Sequence, residues 1–217
     1  MNRKIRELFW KVWWNTPWCI INRNKVQKSI RRNFDYEKNS NISIIATNCI
    51  GGELYSVLGL RFNSPFINCS MNRNDLVKLA VDFSAYMKGE LRDFTCNERG
   101  ELTCFLCANG LEPIKIAWPH DSSVEYVVDK FKERVKRINY EKLVFITDDN
   151  GLFDESYELF DKVSAYKKII LSSNKCNKEY DFIEKLNVES VRGLQYKNLK
   201  GYFVFCEIWN FVEWFNK

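Results

Sequence analysis

Short apolar runs alternate with amphipathic patterns along most of this chain, and polar turns separate them. Runs of five or six mostly apolar residues predict strands at residues 42–47, 65–69, 101–106, 114–118, 143–147, 168–172 and 201–206. Apolar residues three or four apart predict helices at residues 3–14, 53–58, 74–88, 123–137, 155–162, 182–185 and 208–215. This alternation predicts an α/β fold: a central mixed, largely parallel sheet with helices on both faces, plus an N-terminal helical arm.

The unit of strand, polar loop and helix occurs twice, from Ile42 and from Leu143, and this repetition favours parallel pairing of the two strands. Small polar residues follow the first of these strands, at the end where open α/β sheets place their ligands. The residues predicted to contact substrate there are Asn48, Gly51, Gly52, Asn63 and Ser64. Two glycines let the backbone approach an anion beside a helix N-terminus, or they only permit a tight turn.

The same segment, NCIGGELYSVLGLRFNSPF, resembles the motif of a bacterial family of unknown biochemical activity whose members are labelled exopolysaccharide biosynthesis proteins. Members read N-C-x-G-G/A, then leucine-glycine-leucine, then N-S/T-P. Trp118-Pro119-His120 and the helix end with Arg134, Arg137, Ile138 and Asn139 also resemble family segments. The resemblance covers residues 42–171, although residues 97–109 depart from the pattern, and it implies a role in surface polysaccharide production.

Cys49 and His120 are the candidate catalytic residues. Cys49 precedes a predicted helix, where a thiol pKa can be lowered, and a cysteine nucleophile needs a base. His120 is the only histidine of the chain and follows a predicted strand. The alternatives are a buried structural cysteine and a histidine that stabilises a turn.

Charged residues supply two further candidate sites. Arg134 and Arg137 share one face of a predicted helix and suit phosphate or carboxylate, because a guanidinium binds two oxygens. Asp148 and Asp149 follow the strand at residues 143–147 and are candidates to hold a metal together with substrate phosphates. The alternative for the two arginines is a solvated helix end, and the alternative for the two aspartates is an ordinary turn.

The positive charge lies at the N-terminus. Residues 1–32 contain nine Lys or Arg and one Glu, a net +8, so the remaining residues carry −3 of the total +5. Residues 1–35 are predicted to form a basic, Trp-rich arm, and residues 36–217 one α/β domain. The arm fits a helix in a membrane interface, or a helix that covers the domain or a second copy of the chain. The acidic remainder argues against nucleic acid as a partner.

These observations predict a cytoplasmic protein, with reduced cysteines and with the arm on the inner membrane surface or in a homodimer. The leading hypothesis is a sugar-modifying enzyme, a glycosyl or acyl transferase of exopolysaccharide assembly that binds a sugar nucleotide or glycan precursor. The alternative is a non-catalytic protein that binds a glycan precursor or acts as a scaffold. The sequence leaves the cofactor unknown.

Overall fold

The structure, a computed structural model, describes residues 3–217, with side chains from Leu8 onward. The chain forms two compact units. The sheet unit contains residues 41–55 and 61–191, and the helical unit contains the residues up to 40, residues 56–60 and residues 192–217. The predicted division at residue 35 into an arm and a domain stays a prediction, because compactness alone does not define a domain.

A parallel sheet of four strands lies in the sheet unit. Its strands, in spatial order, are β1 (Ser43–Ala46), β6 (Leu143–Asp148), β7 (Lys167–Ser172) and β8 (Ile183–Lys185). Ser43 lies opposite Leu143 in the parallel pair of β1 and β6. The parallel pairing predicted from the repeated strand–loop–helix unit is therefore confirmed. Parallel strands also place their carboxyl ends at one edge of the sheet, so the loops after β1, β6 and β7 are neighbours.

A second sheet is antiparallel. Its strands, in spatial order, are β2 (Ser70–Met71), β5 (Ile114–Trp118), β4 (Leu102–Cys107) and β3 (Glu90–Cys96). A turn at Asn109 and Gly110 joins β4 to β5, as the sequence predicted, and Gly110 has the positive φ of 75° that such turns require. The α/β class is confirmed, but its strands are divided between two sheets, because short turns pair consecutive strands antiparallel.

Five helices belong wholly or mainly to the sheet unit: α4 (Ile50–Leu58), α5 (Arg73–Val81), α6 (Phe83–Tyr86), α7 (Val124–Val135) and α8 (Asp154–Asp161). Side-chain caps begin two of them. The side-chain Oδ1 of Asn72 accepts from the amide of Asn74, and the Ser123 hydroxyl accepts from the amide of Tyr126. Buried residues of both sheets and of the helices α5 to α8 form one apolar core, which includes Phe145, Ile116 and Phe131.

The helical unit contains α1 (Arg3–Trp14), α2 (Pro17–Asn33), α3 (Tyr36–Asn39), α9 (Phe205–Ile208) and α10 (Phe211–Asn216). The helical arm predicted from the sequence is confirmed, although the side chain of Ile5, part of its apolar pattern, lies outside the described side chains. Pro17 ends one helical segment and opens the next, because proline suits the first turn of a helix. Phe34 packs against Phe215 with ring centroids 5.8 Å apart.

Three predicted elements are wrong, and the strands β2 and β3 were missed. Residues 65–69 form turns, since Asn68 adopts a left-handed φ of 59° that interrupts an extended strand. Residues 183–185 form the edge strand β8 instead of a helical turn. Residues 201–206 form a turn and the start of α9 instead of a strand. The strand β3 was missed because most of its residues are exposed, so its sequence shows no apolar run.

Within the described residues, no helix combines the length and the apolar character needed to cross a bilayer.

Candidate functional site

Cys49 and His120 lie side by side. The Cys49 Sγ is 3.6 Å from Nε2 of His120, which is within hydrogen-bonding distance for sulfur. Cys49 is partly buried in the loop between β1 and α4, and His120 is exposed just after β5. In the part of the chain that the structure describes, no third side chain is hydrogen-bonded to His120. The arrangement is thus a thiol–imidazole pair rather than a triad.

The two-residue strand β2 brings this pair together. The amide of Met71 donates to the carbonyl of Thr47, just beyond β1, at 2.9 Å. Met71 lies opposite Ile116 in the antiparallel pairing of β2 with β5, and Ser70 lies opposite Ala117. Because β2 runs antiparallel to β5, the carboxyl end of β5 comes to the start of β2, beside the loop after β1. The sequence contained no signal for this connection, since β2 is too short to form a pattern.

The environment of Cys49 raises the pKa of its thiol. Burial is the largest cause, and the negative charge of Glu53 on the first turn of α4 adds to it. The backbone amide of Cys49 itself acts in the opposite direction. The sequence suggested that a position before a helix would lower this pKa, and that expectation is wrong because burial outweighs the helix terminus. The thiol is therefore neutral at rest and needs a base.

The two candidate arginines differ in their surroundings. Arg137 already has protein partners, since its guanidinium lies 3.4 Å from Oε2 of Glu133 and 3.5 Å from the carbonyl of Phe62. Arg134 is half-buried on the side of α7 that also carries Phe131, and no carboxylate pairs with it among the described residues. Burial lowers the pKa of Arg134, and the charge of Arg137 lowers it further.

Cys69, just before β2, is completely buried. Burial raises the pKa of its thiol far above the ordinary value, the thiols of Cys49 and Cys104 raise it further, and Arg134 lowers it. The thiol of Cys69 thus interacts electrostatically with both Cys49 and Arg134. Arg134 is thus the better placed of the two predicted anion contacts.

Gly51 and Gly52 lie within the first turn of α4, so this helix begins three residues earlier than predicted. A Cβ atom on Gly51 would lie 3.1 Å from Cβ of Ala46, and one on Gly52 would lie 2.9 Å from Oδ1 of Asn68. Both glycines are buried. They let α4 pack closely on β1 and on the loop before β2, which explains their presence without a ligand.

The predicted polar contacts hold the loops in place. Oδ1 of Asn48 accepts from the amide of Ile50 at 2.9 Å and so fixes the turn that carries Cys49. Asn63 is buried and donates to Oδ1 of Asn41 at 2.9 Å. The hydroxyl of Ser64, also buried, accepts from the amide of Phe66. These partners give all three residues a structural role.

Asp148 and Asp149 lie at the carboxyl end of β6, as predicted, but both carboxylates have protein partners. Arg73 binds Asp148 with two hydrogen bonds of 2.9 and 2.8 Å. Asp149 accepts from the hydroxyl of Ser172 at 2.6 Å. Among the described residues, no group of three His, Cys, Asp or Glu side chains is placed to hold a metal. Sequence reasoning missed Arg73, because nothing in a single chain marks which arginine faces a given carboxylate.

The fold and the site together define an α/β protein with a cysteine–histidine pair beyond the carboxyl end of a parallel strand. The chain belongs to the family described as "Domain of unknown function (DUF1919)", whose model matches residues 20–216. An uncharacterized protein of Haemophilus influenzae is 23% identical over 188 residues, which cover 82% of this chain and 85% of that protein. Membership in a family of unknown activity is thus confirmed and extends beyond residues 42–171. The exopolysaccharide role stays a prediction.

Proposed function

We propose that this protein is a cysteine-dependent acyltransferase that modifies a sugar during surface polysaccharide assembly. The observation that supports the chemistry is the 3.6 Å separation of the Cys49 Sγ from Nε2 of His120. A thiol becomes a good nucleophile toward carbonyl carbon when a base takes its proton. The sugar substrate rests on the resemblance of the motif around Cys49 to exopolysaccharide biosynthesis proteins.

The pair supports a two-step transfer. Nε2 of His120 takes the thiol proton while the sulfur of Cys49 attacks the carbonyl carbon of an activated ester or thioester. The leaving oxygen or sulfur departs with that proton, and the acyl group remains on the Cys49 sulfur. His120 then takes the proton of a sugar hydroxyl, whose oxygen attacks the thioester. The departing Cys49 sulfur recovers the proton, so both side chains return to their starting state.

Acyl transfer fits this site better than glycosyl transfer. Glycosyl transfer from a sugar diphosphate would call for carboxylates that are free to hold a divalent metal together with the substrate phosphates. The carboxylates at the end of β6 are bound to Arg73 and to Ser172 and are not presented as a free pair. A thiol and an imidazole, in contrast, are suited to forming and breaking a thioester.

Arg134 is the group that would bind an anion of the substrate. It is half-buried and has no carboxylate partner among the described residues, and a guanidinium in that state binds phosphate or carboxylate strongly. A sugar nucleotide or a phosphorylated glycan precursor carries such a group. We place this reaction in the cytoplasm at the inner membrane surface, which suits a chain whose eight cysteines form no disulfide.

A small acetyl thioester tests the chemistry. The expected result is release of its thiol together with an acetyl group on Cys49, located by peptide mass spectrometry. His120→Ala should slow this acylation by about 100- to 10,000-fold, the range for loss of a general base. Cys49→Ala should abolish it, and adding sugar nucleotides as acceptors should speed the loss of the acetyl group over hydrolysis.

Cys96→Ser is the matched control, because Cys96 is exposed on β3 and makes no contact with His120. That variant should acylate at the rate of the unaltered protein. Acylation of Cys49 no faster than that of Cys96, or an unchanged rate in His120→Ala, would eliminate the proposal. It would leave the non-catalytic binding protein as the better hypothesis.

A further inference from the structure

The helical unit exposes a continuous apolar surface, which we call the aromatic face. Its side chains come from α1, the start of α2 and the loop before α9: Leu8, Phe9, Val12, Trp13, Trp18, Ile21 and Leu199. Leu8, Val12 and Leu199 are each 63% exposed. Most single exposed apolar residues need no explanation, but a contiguous group of this kind marks an interaction surface.

Specific contacts hold the aromatic face together. The indole of Trp13 donates to the carbonyl of Leu199 at 2.9 Å, and the indole of Trp14 donates to the carbonyl of Asn198 at 3.0 Å. The rings of Phe9 and Trp13 stack with centroids 6.4 Å apart, and Trp18 lies 6.3 Å from Trp13. The face is therefore an ordered feature of the fold, with Leu199 fixed beside the tryptophans.

A row of cations continues this surface along α2. Lys25, Lys28 and Arg32 follow Trp18 and Ile21 at spacings of three and four residues, which places all five on one side of the helix. All five are exposed. The same helix side thus changes from apolar to positively charged within a few turns.

We propose that the aromatic face binds the surface of a bilayer that contains anionic lipids. Tryptophan and aliphatic side chains enter the boundary between headgroups and acyl chains, while lysine and arginine attract anionic headgroups. The net charge of +8 over residues 1–32 complements such a surface, whereas a second copy of the chain would place +8 against +8. Nucleic acid fits less well, because Leu8, Val12, Ile21 and Leu199 cannot stack on bases. This inference is independent of the proposed acyl transfer.

Flotation of the full chain with vesicles tests the proposal. The protein should float with vesicles of phosphatidylcholine and phosphatidylglycerol, and much less with phosphatidylcholine alone. Lys25→Gln with Lys28→Gln should weaken binding to the anionic vesicles by about 25-fold, from roughly fivefold for each cation. Leu8→Ser with Val12→Ser should weaken it by roughly tenfold or more, since two apolar side chains no longer enter the interface.

Matched controls lie on the sheet unit. Lys88→Gln with Lys115→Gln, and Val81→Ser with Phe153→Ser, alter exposed residues of the same kinds and should leave flotation unchanged. Circular dichroism confirms that each variant is folded. The proposal would be overturned by no flotation with anionic vesicles, by equal effects of the control variants, or by a dimer that Leu8→Ser with Val12→Ser converts to monomer. Binding to single-stranded DNA but not to vesicles would overturn it as well.

Discussion

At the scale of single residues, the protonation of Cys49 decides how the site works. Burial and the charge of Glu53 raise the pKa of this thiol, so less thiolate is present at neutral pH than for an ordinary cysteine. The pair with His120 therefore resembles a general-base arrangement and not a preformed thiolate–imidazolium ion pair. In the absence of substrate Cys49 therefore carries little thiolate, and a neutral thiol is oxidised more slowly than a thiolate.

Replacing Glu53→Gln tests this electrostatic account. Removal of the carboxylate charge lowers the pKa of Cys49, so the pH midpoint for alkylation of Cys49 by iodoacetamide should move down and its rate at neutral pH should rise. Site-resolved mass spectrometry measures both. Glu98→Gln removes a charge from an exposed turn and should change neither quantity. A midpoint for Cys49 in the unaltered protein below that of a free cysteine would contradict the assignment.

At the scale of elements, the packing of α4 explains the glycine pair of the sequence motif. Gly51 faces Ala46 of β1, and Gly52 faces Asn68 and Ile67, with no room for a further carbon atom. Loss of activity in a bulky variant of Gly52 would therefore report disrupted packing and would not locate a ligand. Cys49, held by the turn before the same helix, depends on that packing for its position.

Gly52→Ala should destabilise the protein by about 1–2 kcal/mol. The added Cβ would lie 2.9 Å from Oδ1 of Asn68 and 3.3 Å from Ile67, and such overpacking outweighs the roughly 1 kcal/mol by which alanine favours a helix. Thermal or urea unfolding measures the change, a fall of a few degrees in the midpoint. Ser56→Ala, on an exposed position of α4, is the control and should be neutral or stabilising. A higher midpoint for Gly52→Ala would show that α4 can move away from Asn68.

At the scale of the whole molecule, the eight cysteines form no disulfide and differ in burial. Cys19, Cys69 and Cys104 are buried, and Cys96 is exposed. Each compact unit is therefore stabilised by packing and hydrogen bonds and not by disulfides. Within the sheet unit the indole of Trp118 donates to the sulfur of Cys104 at 3.3 Å, and burial raises the pKa of that thiol to about 11.

Titration with Ellman's reagent should find eight thiols in guanidinium without added reductant. In the native protein, Cys96 should react first and the three buried thiols should react only as fast as the structure opens. Mass spectrometry of labelled peptides assigns each rate. Reductant should not alter the count, and fewer than eight thiols in the denatured, unreduced protein would contradict the free state of the cysteines.

The sequence by itself determined the α/β class and the parallel pairing of β1 with β6, and it singled out Cys49 and His120 as candidates. Periodicity identifies these elements because the buried side of a helix or strand recurs at a fixed spacing along the chain. Predictions were least accurate where local signals conflict with tertiary packing, as at Phe66 and Ile67, which are buried in turns and not in a strand.

Only the tertiary structure decided the geometry of the site. The approach of Cys49 to His120 depends on β2, which is two residues long and joins the end of β1 to β5. The fold also decides which side chains face each other. This sets the difference between Arg134 and Arg137, and it brings Arg73 to Asp148. The spacing of apolar residues along the chain predicts which side chains are buried. It does not predict which distant residue each side chain contacts, because those contacts depend on how the strands and helices pack in the fold.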